Sequence, residues 1–95
     1  MKIAVSRSGG VGGLRLSRSV DTAQLQPDDA KALEELVASA RFFELPEVLR
    51  GPSPRPDRYE YRLEVDEGGR THAVTAREEL LPEALRRLCA DVLRR

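Results

Sequence analysis

The chain has 95 residues, of which 40% are apolar and 34% charged. That balance is too apolar for a disordered tail and too polar for a membrane protein, so one soluble domain over residues 1–95 is expected. Sixteen basic residues match sixteen acidic ones, so no net field draws the chain to nucleic acid or to an anionic membrane. Fourteen of the sixteen basic residues are arginine, a bias that GC-rich coding explains without invoking anion recognition. A single cysteine, Cys89, excludes an internal disulfide. The opening MKIAVSRSGG turns polar after three apolar residues, which is no secretory leader, and the expected location is the reducing cytoplasm.

The first element is a strand from Lys2 to Arg7, where Ile3 and Val5 alternate with Lys2, Ala4 and Ser6. The run Ser8-Gly9-Gly10-Val11-Gly12-Gly13 predicts a pliable hairpin tip, because glycine adopts positive φ at little steric cost. Leu14, Leu16 and Val20 alternate with Arg15, Ser17 and Ser19 in a second strand, with Arg18 on its apolar face near the sheet edge. Gln26-Pro27-Asp28-Asp29 starts a helix: proline suits the first turn, and its carboxylates meet the positive end of the macrodipole. Leu33, Leu36, Val37 and Ala40 carry its buried stripe, and Phe42, Phe43 and Leu45 cap the core beyond it.

Four prolines and a glycine between Pro46 and Asp57 predict one long loop. Tyr59, Tyr61, Leu63 and Val65 then alternate with charged residues as a third strand. Glu67-Gly68-Gly69 turns into a fourth, where His72, Val74 and Ala76 share a face. After Pro82, the spacing of Leu85, Leu88, Cys89 and Val92 describes a terminal amphipathic helix. The order β-β-α-β-β-α implies an α+β fold, a four-stranded, mainly antiparallel sheet with both helices on one face.

No catalytic constellation emerges. His72 and Cys89 are the only members of their types, one on a strand and one on a buried helical stripe, so both read as structural rather than as a dyad. One histidine and one cysteine do not make a structural zinc site, and Glu34/Glu35 and Glu78/Glu79 read as solvated neighbours rather than convergent acid/base pairs. The chain is expected to need no cofactor and no metal. A phosphate-binding role for the glycines requires a helix directly after them, and here a strand follows. RNA binding on the open sheet face is a rival, but the tyrosines fall with the apolar set, and Arg15, Arg58 and Arg62 are interleaved with Glu60 and Glu64. What remains is a protein-binding surface, with two candidates: the glycine tip, presenting Val11 and Leu14, and the proline-rich loop, presenting Val48 and Leu49. On the residues alone, each is either a binding segment or an ordinary connector.

Several stretches in register resemble the emfourin family of protealysin-associated inhibitors: Ser6-Arg7-Ser8-Gly9-Gly10-Val11-Gly12-Gly13-Leu14, Arg41-Phe42-Phe43-Glu44-Leu45-Pro46 and Pro56-Asp57-Arg58-Tyr59-Glu60-Tyr61-Arg62-Leu63. At Val11-Gly12 the sequence departs from the aromatic residue and alanine associated with that family. The resemblance implies a monomeric, non-enzymatic inhibitor of a thermolysin-like zinc metallopeptidase that binds and occludes the active-site cleft. On that reading the residues here allow a contact through Ser8, Gly9, Gly10, Val11, Gly12, Gly13 and Leu14, with Pro52, Pro54 and Pro56 as an alternative or secondary contact. Such peptidases favour a bulky apolar residue just after the scissile bond, a preference Val11 or Leu14 would meet. The alternative is a non-inhibitory protein-interaction domain.

Overall fold

The computed structural model describes residues 1–9, 12–51 and 58–95. Its elements run β1 (Lys2–Gly9), β2 (Leu16–Asp21), α1 (Pro27–Ser39), β3 (Tyr59–Glu67), β4 (Arg70–Arg77) and α2 (Glu83–Arg94), the order expected from the sequence. The four strands form one antiparallel sheet in the order β2-β1-β3-β4. The two hairpins therefore join through their first strands, β1 and β3, which become the centre of the sheet.

Register explains which residues meet. Ile3 pairs with Val20 and Val65, Val5 with Arg18 and Leu63, and Leu63 and Val65 with Val74 and His72. Directly paired residues share a face, so these rows form the floor of the core, and Lys2, Ala4, Ser6, Glu64 and Arg62 fall on the opposite face. Ile3, Val5, Leu63, Val65 and Val74 are at most 1% exposed. The helices cover them with Leu33 and Val37 from α1 and Leu85, Leu88, Cys89 and Val92 from α2. Arg18 shares the face of Val5 but lies on the outermost strand, where it is exposed. A charged residue on the inner face of an edge strand discourages pairing with another chain.

Between the elements lie three single 3₁₀ turns, Thr22–Gln24, Phe42–Glu44 and Glu78–Leu80. Asp21 caps the first through a 3.0 Å bond from the Ala23 N–H, a local side-chain interaction that aspartate makes readily. Buried Thr22 ties the chain start to α1: its N–H donates to Met1 O at 2.8 Å and its hydroxyl to Glu34 Oε2 at 2.7 Å. In α1, Pro27 takes the first turn, where an amide would have no partner anyway. Arg41, at φ 51°, reverses the chain in the left-handed region just beyond that helix. Phe42 then turns inward, 1% exposed, with its ring edge-on to Phe43 at 5.8 Å and to His72 at 5.5 Å.

Two boundaries differ from the sequence reading. β1 continues past Arg7 to Gly9, because β3 offers it partners down to Tyr59. β2 begins at Leu16 and excludes Leu14, because pairing with β1 stops at Arg7–Leu16. The edge of β4 is covered: Leu49 N–H donates to Thr75 O at 2.9 Å and Thr75 N–H to Glu47 O at 2.7 Å. Leu49 is half-buried against the core, so of the two apolar residues assigned to the proline-rich loop only Val48 is presented, at 45% exposure. Among the described residues, no helix is long and apolar enough to cross a membrane.

Candidate functional site

The ends of β1 and β3 and the beginning of β2 gather at one end of the sheet. Gly9 pairs with Tyr59, so the last residue of β1 and the first of β3 lie side by side. A β-carbon at Gly9 would stand 3.1 Å from the carbonyl oxygen of Arg58, and its φ is 92°. Both facts call for glycine: the approach is tight, and the backbone is in the region L-residues avoid. Arg58 and Tyr59 thus lie against the end of β1, although the two places are remote in sequence.

Of the predicted tip residues, Ser8, Gly9, Gly12, Gly13 and Leu14 are described, whereas Gly10 and Val11 lie outside the described residues, as do Pro52, Pro54 and Pro56. Ser8 is half-buried opposite Glu60. Gly12 and Gly13 have φ of 95° and 63° with open space around them, so they steer the chain rather than admit a neighbour. They deliver it to Leu14, which is 79% exposed. Leu14 and Val48 are the exposed large apolar residues among those described, and they stand at opposite edges of the sheet.

Beside the tip, on the helix side of the sheet, lies a cleft of about 540 Å³ between β1, β3 and α2. Leu16, Tyr61, Leu81 and Leu93 contribute its apolar wall, and Arg7, Arg58, Arg86 and Arg94 its cationic rim. Arg7 lies over the Tyr59 ring, 4.3 Å from the centroid, a cation–π contact that fixes the guanidinium. Across the register it faces Tyr61. Burial raises the Tyr61 phenol above its ordinary pKa, and the neighbouring Arg7 guanidinium opposes the rise. Arg58 pairs with Glu78 at 3.7 Å, and Glu79 with Arg77 at 2.9 Å.

Both groups considered for a dyad have structural surroundings. His72 Nε2–H donates to Leu45 O at 2.7 Å and packs on two phenylalanines. Cys89 is 1% exposed, and burial pushes its thiol up to about 12, far from the thiolate that a nucleophile requires. Tyr59 and Tyr61 sit on the helix side by register, and the outer face of β3 carries an Arg62–Glu64 pair at 3.3 Å, an arrangement unlike an aromatic base-stacking platform.

The arginine-rimmed cleft escaped the sequence reading because its members are scattered from residue 7 to residue 94. The one local signal was Arg7, which falls in the alternation phase of Ile3 and Val5 and so had to sit on the helix side of the sheet.

The emfourin family profile matches residues 5–93, nearly the whole chain, and the chain belongs to that family, a family of protease inhibitors. No curated protein and no solved structure matches it.

Proposed function

We propose that this protein inhibits a thermolysin-like zinc metallopeptidase by laying the segment Ser8–Leu14 in the active-site cleft, with Leu14 in the pocket just beyond the scissile position. The observation that carries the reading is Leu14 itself: a large apolar side chain, 79% exposed, placed by two positive-φ glycines beyond the last β1–β2 pair. An isolated exposed leucine is ordinary. One aimed outward by a special backbone, in a chain of an inhibitor family, fits the apolar preference of such enzymes. The chain acts as a cytoplasmic monomer on this reading.

Occlusion of this kind is steric. The described tip residues are a serine, glycines and a leucine, so contact with the zinc would come from main-chain carbonyls. Strands anchored on both sides resist the distortion that peptide hydrolysis demands of a substrate. Competition tests the reading. A small zinc-directed active-site inhibitor and this protein should exclude each other, with the apparent inhibition constant of the protein rising linearly with the small molecule's concentration. A ternary complex with unchanged affinities for both would place the protein away from the cleft and end the proposal.

A further inference from the structure

The cleft beside the tip has no part in the reading above. Its geometry poses a question of charge. Among the described residues, only Arg58 of the four arginines at its rim is matched by a carboxylate, Glu78. The other rim carboxylate, Glu79, is engaged by Arg77, and Arg86 reaches the Glu79 carbonyl, at 3.5 Å. Arg7, Arg86 and Arg94 therefore face one cavity without a carboxylate partner among the described residues. Three guanidiniums that repel one another are kept around an apolar wall, and Arg7 is held there over the Tyr59 ring. Such a group attracts an anion, and Arg7, already held, loses little side-chain entropy in binding one.

The position of the cleft indicates what the anion is attached to. Arg7 stands two residues before Gly9, and Leu16 two residues after Leu14, so the cleft opens at the foot of the tip. Leu16 and Arg7 thus set one side of the cleft close to the residues that carry the tip. The mixture of guanidiniums with Leu16, Tyr61, Leu81 and Leu93 suits a peptide segment better than a bare inorganic anion, because the wall offers area only to carbon.

We propose that this cleft is a second docking subsite for the peptidase that accepts the tip, and that it receives a peptidase surface segment in which a carboxylate stands next to an apolar side chain. The inference rests on the inhibitor reading. It adds that target choice is set partly by charge, through Arg7, Arg86 and Arg94.

The test compares inhibition constants and association rates of the wild-type protein, the double variant Arg86→Glu/Arg94→Glu and the charge-conserving Arg86→Lys/Arg94→Lys, on one thermolysin-like peptidase at low and high salt. Arg86 and Arg94 are exposed, so all three should fold alike, as thermal melts will show. The reversal should raise the inhibition constant at least about tenfold at low salt, chiefly by slowing association. The gap should narrow at about 0.5 M salt, where screening is strong, and the lysine pair should lie between the two. If the wild type inhibits and the reversal neither weakens it nor alters its salt dependence, the cleft proposal is overturned while the tip reading stands. Saturable binding of inorganic phosphate that the reversal abolishes, with inhibition untouched, would reassign the cleft to a small anion. A wild type that inhibits no such peptidase removes both readings.

Discussion

Replacing Leu14 by alanine separates function from folding more cleanly than any other change in this chain. In the free protein the side chain is 79% exposed, so truncation should move stability by no more than about 0.5 kcal/mol. In the complex the same atoms become buried. Leucine loses three carbon groups on becoming alanine, worth about 0.8 kcal/mol each, or roughly 2.4 kcal/mol. Scaling by the 79% that association can still remove from water leaves about 1.9 kcal/mol, a factor of about 25 in the inhibition constant. Leu14→Asp should weaken inhibition further, since a carboxylate entering an apolar pocket is desolvated without a partner. Steady-state inhibition by the purified variants, with melting curves as the folding control, gives both numbers. An alanine variant that melts like the wild type and inhibits within about threefold of it would refute the placement of Leu14 in the pocket.

Other consequences follow from the same geometry. Gly9→Ala sets a β-carbon 3.1 Å from Arg58 O at a φ of 92° and should cost about 1–3 kcal/mol of stability, read by urea denaturation. A neutral result there would mean that the crossing of β1 and the start of β3 is not tight. Phe42→Ala removes a ring that is 1% exposed and packed on Phe43 and His72; a loss of about 3–5 kcal/mol and a markedly lower melting temperature are expected. The Cys89 thiol, with its pKa raised from 9.0 to about 12 by burial, should resist a thiol reagent in the folded protein and react at once in denaturant. The folded state keeps that proton in the interval where the unfolded state loses it. The contribution of Cys89 to stability should therefore decline as pH rises from 9.0 towards about 12.

The strands were legible because each satisfies one face with carbon and the other with charge, a period that Tyr59 to Val65 and Ile3 to Val5 both display. Helix α1 announced itself through Pro27 and its two aspartates. What the sequence did not carry was the neighbour relation between hairpins: nothing local says that Ile3 meets Val65 rather than another apolar strand residue. The same gap hid the cleft, whose charges are assembled by the β1–β3 pairing and the packing of α2. Leu14 was expected within a strand because alternation runs through it, yet alternation is a statement about side chains. Pairing ended at Leu16, and beyond Gly12 and Gly13 at positive φ Leu14, also read as presented by the tip, is the most exposed large apolar residue described.

Titration of a thermolysin-like peptidase with this protein, followed by a gel of the inhibitor after prolonged incubation, tests the central claim most directly. The account predicts loss of activity at a one-to-one ratio while the chain remains uncut. Full activity across several such peptidases in the presence of an excess of folded protein, or inhibition that fades as the chain is cleaved at the tip, would contradict it.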